Sequence, residues 1–463
     1  MRSFLRAVAR DVRSDLCASH PWFRHGYSSE RQVVARERTA VTARLWQDRL
    51  AQANKKGVAE AATQSQDTLV PKPPTRTSIR YSFSDDENLL EAYRNPWNAV
   101  RIGRVLEDLD SLAGNIAFHH CDDDDRNTRP QLLVTASVDR VRLLRKLKLD
   151  EDVTLSGAVA WVGRSSMVIR MEAWPAEHPD APPESSNSSD SDSIKGTPRN
   201  ITATKYSKNS GPSLSADFTF VARDPLTNKS AAVNPLVPGS EGELLLFEET
   251  ATRVETKKNR MKLLKSGDAG LSESLAEAKL KFVESTTRET RNTKELPALA
   301  KFDAILSTTT KTENIFVAQP QQRNLSGRIF GGFLLRRAFE LAFATSYVFG
   351  GARPEFKSVR DMDFLRPVDV GDLLRFKARV LHAENDVTRN KQCVDVEVEC
   401  FVTRPEAVSS EVSNTFLFTF HIGGDGAISQ ATIRVLPASK EDAAHVWERC
   451  HRPRLDTETD YGR

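Results

Sequence analysis

The loop RNLSGRIF at 323–330 ends in Gly331-Gly332 and runs straight into the apolar stretch FLLRRAFELAFA at 333–344. Two glycines opening a helix let a ligand approach main-chain N–H groups that no helical carbonyl satisfies, at the positive end of the helix dipole. Such donors suit a carbonyl oxygen that gains negative charge during a reaction. The same glycines also suit a helix packed close to a sheet. A second cluster, Gly163-Arg164-Ser165-Ser166, sets a cation beside two hydroxyls and so suits a phosphate, although an ordinary hairpin turn has the same composition. Neither cluster is the G-x-x-x-x-G-K-[ST] loop of an ATPase.

Other chemistries find little support. The nine histidines form no H-E-x-x-H or similar spacing, so no metal is expected. His119-His120 are adjacent and point in different directions, which fits packing or surface positions better than a ligand pair. Cys17, Cys121, Cys393, Cys400 and Cys450 are odd in number and contain no C-x-x-C, which argues for a reducing compartment. With 66 basic and 63 acidic residues, the net charge of +3 makes no case for a nucleic-acid partner. No apolar run reaches the length of a membrane span.

The 463 residues exceed one ordinary domain and suggest two. Arg2, Arg6, Arg10 and Arg13 recur at helical spacing over residues 1–29, opposite an apolar face, as in a mitochondrial presequence. Residues 30–80 read as a polar helix and linker, with folded structure expected from about residue 81. The first block, 81–238, holds a helix over 100–114 and strands over 132–138, 153–162 and 167–174. A Ser-, Asp- and Pro-rich insertion at 175–212 is expected to be disordered, with the closing strand at 218–223. Two or three charged linker helices fill 239–304. The second block, 305–425, repeats the order: a helix from Gly332, then strands near 357–365, 373–382, 392–402 and 413–421. Residues 426–463 form a tail with a helix near 439–450.

The two blocks form an internal repeat. At the offset that sets Gly103 on Gly332, Asn95 falls on Asn324 and Asp110 on Phe339. TASVDRVRLL at 135–144 falls opposite SVRDMDFLRP at 358–367, and 150–163 opposite 368–381. One helix wrapped by an antiparallel sheet is a stable α+β layer, and a tandem pair can join sheets edge to edge.

RIGRVLEDLDSLAG (101–114), VDRVRLL (138–144), SGAVAWVGRSSM (156–167), residues 323–344 and DFLRPVDVGD (363–372) together resemble the acyl-CoA thioesterases with two hotdog domains, mitochondrial members included. VARDP (221–225) and VNPLVP (233–238) fit as well. The resemblance implies an α+β fold of tandem hotdog domains, an acyl-CoA substrate hydrolysed without a cofactor, homo-oligomers and the mitochondrial matrix. It assigns the acid to Asp110, in the pattern Asp-x-x-Ala-Gly, to activate water or attack directly. Asp108 is the fallback, turned elsewhere around the helix. The resemblance gives Asn324 the amide position that orients the water or donates to the carbonyl oxygen. Gly331 and Gly332 hold the thioester, and Gly163, Arg164, Ser165 and Ser166 meet the nucleotide end of CoA. Arg366 is a weaker cation candidate.

The repeat then implies one working site. Asp110 and Asn324 form a complete pair, whereas Asn95 faces Phe339, with Glu340 one position from the place of the acid. Two other readings compete. A hotdog dehydratase or hydratase would use a histidine in the site. A non-catalytic acyl-CoA-binding or scaffold protein would keep only the fold. Phe330, Phe333, Phe339 and Phe343 could close an acyl tunnel or simply fill the core. The sequence does not give the acyl chain length.

Overall fold

A computed structural model describes residues 69–123, 131–178, 211–265, 273–301, 303–324, 327–386, 389–423 and 433–451, with short pieces at 42–43, 47, 62–63, 128–129 and 181. The chain divides into the units Met1–Glu37 and Arg38–Arg463, and every described residue lies in the second. The presequence expected at 1–29, most of the 175–212 insertion and the tail beyond residue 451 lie outside the described residues.

In chain order the first half contains β1 (Thr77–Tyr81), α1 (Glu87–Tyr93), α2 (Ile102–Cys121), β2 (Leu132–Leu143), β3 (Val153–Val162), β4 (Ser166–Pro175) and β5 (Leu214–Arg223). Two connecting helices follow, α3 (Glu241–Lys265) and α4 (Glu273–Glu295). The second half contains β6 (Thr312–Val317), α5 (Gly331–Gly350), β7 (Glu355–Phe364), β8 (Leu373–Asp386), β9 (Lys391–Arg404) and β10 (Ser409–Ile422), and ends in the short helix α6 (Lys440–Val446). Structure therefore starts ahead of residue 81, with an edge strand that pairs with β3. The closing strand of the first half begins at Leu214, and α2 runs about two turns past Gly114 to Cys121. His120, at its end, lies 2.8 Å from the carbonyl of Asn234, so it is a packing residue.

The ten strands form one antiparallel sheet in the order β1-β3-β4-β5-β2-β7-β10-β9-β8-β6. That order reads the same from both ends: each half contributes five strands, and the halves join through β2 and β7. The helices α2 and α5 pack against each other on the inner face of the sheet. Strict alternation builds this face. On β9, Val394, Val396, Val398 and Cys400 are fully buried in the main core, while on the other face Glu397 meets His445 of α6 and Arg449 beyond it, and Asp395 meets Arg360 and Thr419. Each large apolar side chain buried this way contributes about 1.5–3 kcal/mol. On the outer face of the first half, buried Asp217 pairs with Arg170 of β4 and Arg253 of α3 and so ties the connecting helix to the sheet.

The repeat is legible in the hydrogen bonds. Asn95 N–H donates to Ala99 O, Asn98 N–H to Asn95 O, and Ala99 N–H to Asn95 Oδ1. Asn324, Gly327 and Arg328 make the same three bonds, and the φ angles of Asn98 and Gly327 are both positive, at 55° and 79°. Past the helices the expected pairing slips. Leu144 and Arg145 both donate to Ser213 O, as Leu365 and Arg366 do to Ser413 O. Thr135 therefore falls on Phe356, not Ser358, because the turn after α2 is longer than the turn after α5.

Candidate active site

Three carboxylates lie buried on α2, and each is held differently. Asp108, the fallback acid, accepts from the hydroxyls of Tyr81 at 2.5 Å, of Tyr93, and of Thr42 at 3.0 Å. Burial followed by the Asp108 charge raises the Tyr81 hydroxyl well above its usual range, so Tyr81 remains a donor. Asp108 is thus a structural acceptor. Glu107 meets Arg336 of α5 at 3.0 Å. Burial pushes the Glu107 carboxyl up to about 7, against the pull of Arg336.

Asp110 is 1% exposed and sits where the halves meet. Its Oδ2 accepts from Gly332 N–H at 2.7 Å, and its Oδ1 accepts from the Thr135 hydroxyl at 3.0 Å. The residue before α5, Phe330, offers no side-chain cap. A carboxylate from the other half takes that place, where the helix dipole favours negative charge. The glycines are required by space. A Cβ on Gly332 would lie 2.8 Å from Glu107 O and 3.1 Å from Asp110 Cβ. One on Gly331 would lie 2.8 Å from the Phe364 ring and 3.3 Å from Asp110 Oδ2. The fold therefore gathers Asp110, Gly331 and Gly332 as one cluster. Thr135 joins it, unforeseen from sequence.

Asn324 stands in the loop that delivers Gly331. Its Oδ1 accepts from Arg328 N–H at 3.1 Å, which makes the NH2 the end of the amide turned away from that turn. Gly163, Arg164, Ser165 and Ser166 form the turn between β3 and β4. Ser165 O and Arg164 O accept from Ala222 and Val233 N–H, and exposed Arg164 projects at the tip. Among the described residues the hydrogen bonds of this turn do not reach the Asp110 cluster. A Cβ on Gly163 would lie 2.6 Å from the Trp161 ring, which explains that glycine by packing. Arg366 pairs with Glu411.

The equivalent place in the other half has no acid. Phe339 takes the position of Asp110: its ring lies 3.1 Å from where a Cβ on Gly103 would stand. Phe356, in the place of Thr135, packs edge-on against Phe339 at 5.3 Å, with Phe418 and Phe420 at 5.9 and 5.8 Å. Trp97, from the Asn95 loop, lies over Phe343 and Tyr347. Glu340 turns outward to Arg101 at 3.4 Å and Arg337 at 3.3 Å. A polar pair, Asp110–Thr135, is thus matched by an aromatic pair.

Comparison with known proteins bears on what such a site does. The profile of the Thioesterase superfamily matches residues 103–181. Acyl-coenzyme A thioesterase 4, mitochondrial, from Humulus lupulus is 45% identical over 422 residues, covering 90% of this chain and 73% of the relative. Acyl-coenzyme A thioesterase 2, chloroplastic, from the same plant is 45% identical, covering 83% of this chain and 82% of that protein. The human acyl-coenzyme A thioesterase 9, mitochondrial, is 31% identical, covering 81% and 78%.

Proposed function

The chain belongs to the acyl-coenzyme A thioesterases, which hydrolyse acyl-CoA to a free acid and CoA, and we propose that it does so at one composite site built from both halves. The observation that carries this reading is the Asp110 carboxylate held between Gly332 N–H and the Thr135 hydroxyl. The two bonds fix the direction of both carboxyl oxygens. Asp110 takes a proton from water as the water oxygen bonds to the thioester carbonyl carbon. The carbonyl oxygen becomes an oxyanion, met by the Asn324 NH2 and the start of α5. The intermediate collapses, the C–S bond breaks, and the proton passes from Asp110 to the departing CoA sulfur. Direct attack by Asp110, through a mixed anhydride that water then opens, uses the same residues.

The nucleotide end of CoA is assigned to the Gly163–Ser166 turn, with exposed Arg164 as its cation. No helix among the described residues is long and apolar enough to cross a membrane. We assign the enzyme to the mitochondrion, as two of the three relatives are named, and to its matrix on the basic segment at 1–29. A homo-oligomer is the assembly we expect, with the sheet edges β1 and β6 at its disposal.

The test is thiol release from a panel of short to long acyl-CoAs, by the wild type and Asp110→Asn. Turnover abolished by that single change supports the site. A folded protein that binds CoA without turnover would leave only a binding or scaffold role.

A further inference from the structure

On the inner face of the second half, a buried polar side chain stands where the first half is apolar. Asn414 lies on β10 in the same column as Phe416, Phe418 and Phe420 and is fully buried. Neither its Nδ2 nor its Oδ1 has a hydrogen-bond partner among the described residues. A buried amide in that condition is destabilising, and native proteins rarely keep one without a reason.

Its position supplies the reason. Asn414 is directly opposite Phe364 on β7, and Cys400 is opposite on its other side. The Phe364 ring fills the space where a Cβ on Gly331 would stand, next to Gly332, whose N–H donates to Asp110 Oδ2. Asn414 thus lies on the buried side of the Asp110 cluster, one strand from the ring that walls it. In the first half the matching cross-strand pair is Leu143 and Leu214, beside the start of α2 where the acid is missing. The place of the Asn414 amide is thus held by Leu214 in the half that lacks the carboxylate.

We propose that Asn414 reads an oxygen carried on the acyl chain, so that the enzyme prefers hydroxyacyl-CoA to plain acyl-CoA of equal length. The inference rests on the composite site above. With the thioester carbonyl at the start of α5 and the polar CoA moiety toward solvent, the acyl group points inward past Phe364. A hydroxyl both donates and accepts, and so it answers both ends of a side-chain amide. A site with such a group discriminates against a chain that leaves the group unpaired.

The experiment compares kcat/KM for pairs of acyl-CoAs matched in length, one member with a hydroxyl at successive carbons. The wild type is expected to favour at least one hydroxyl position by about tenfold or more. Asn414→Leu, which installs the residue of the other half, is expected to bring that ratio to unity or below. Asn414→Ala adds no bulk and decides the matter if the leucine variant does not fold. A wild-type ratio at or below unity for every hydroxyl position overturns the inference, as does a ratio unchanged in the variants. If Asp110→Asn meanwhile abolishes turnover, the composite site survives and only the role of Asn414 falls. If turnover persists in Asp110→Asn, both fall.

Discussion

The two halves share a loop, a helix start and a sheet, yet only one offers a carboxylate. Around Gly332 stand Asp110 and Thr135; around Gly103 stand Phe339 and Phe356. The Asn95 and Asn324 turns share three hydrogen bonds, so the fold was kept in both copies. What differs is the use of the space between helix and sheet. In one half, buried polar groups satisfy each other and a helix terminus. In the other, aromatic rings fill the volume and contribute to the core. The comparison separates residues needed for the fold from those needed for chemistry.

Changes at matched positions should therefore have opposite consequences. The largest effect is expected at the acid: Asp110→Asn lowers kcat by about 10³-fold, within the span of a general base, while Glu340→Gln stays within about twofold of wild type. Steady-state thiol release checks both, and a large loss in Glu340→Gln would show that the second half works. Next comes stability without activity. Phe339→Ala opens a cavity among four phenylalanines and should cost about 3–5 kcal/mol in urea unfolding, with kcat of the folded enzyme nearly unchanged.

The glycine pair gives a smaller contrast. Gly332→Ala drives a methyl against Glu107 O and Asp110 and should lower kcat about 100-fold. Gly103→Ala crowds the Phe339 and Arg336 side chains, which can shift, and meets backbone Arg336 O only at an ordinary 3.8 Å, so it should change kcat by less than about threefold. Equal losses in the two variants would break the comparison.

The smallest effect is expected from Glu107. Its folded carboxyl is raised to about 7 from 4.5 by burial, so the native state binds its proton more tightly than the unfolded chain. That contribution is present below about 4.5 and is lost as pH rises toward about 7. Glu107→Gln should flatten this fall, as read from urea midpoints at several pH values.

Much of this is legible in the sequence, for physical reasons. Gly331-Gly332 ahead of an apolar helix is a local pattern, and the tandem copy places Asp110 opposite Phe339 without knowledge of contacts. Thr135 was not readable. It reaches Asp110 across a turn whose length differs between the copies, and a comparison without gaps set it against Ser358 instead of Phe356. Asp108 and Asp110 look alike on a helix until Tyr81 and Tyr93 arrive from distant elements to claim one of them. Glu340 could pass for a displaced acid because sequence does not show that Arg101 and Arg337 draw it outward. Edge strands such as Thr77–Tyr81 carry too short a pattern to stand out from a linker.

One working site per chain can be counted by calorimetric titration with a non-hydrolysable acyl-CoA thioether. One thioether bound per chain, with binding weakened by Gly332→Ala and not by Gly103→Ala, is the expected result. Two equivalent sites per chain would contradict it.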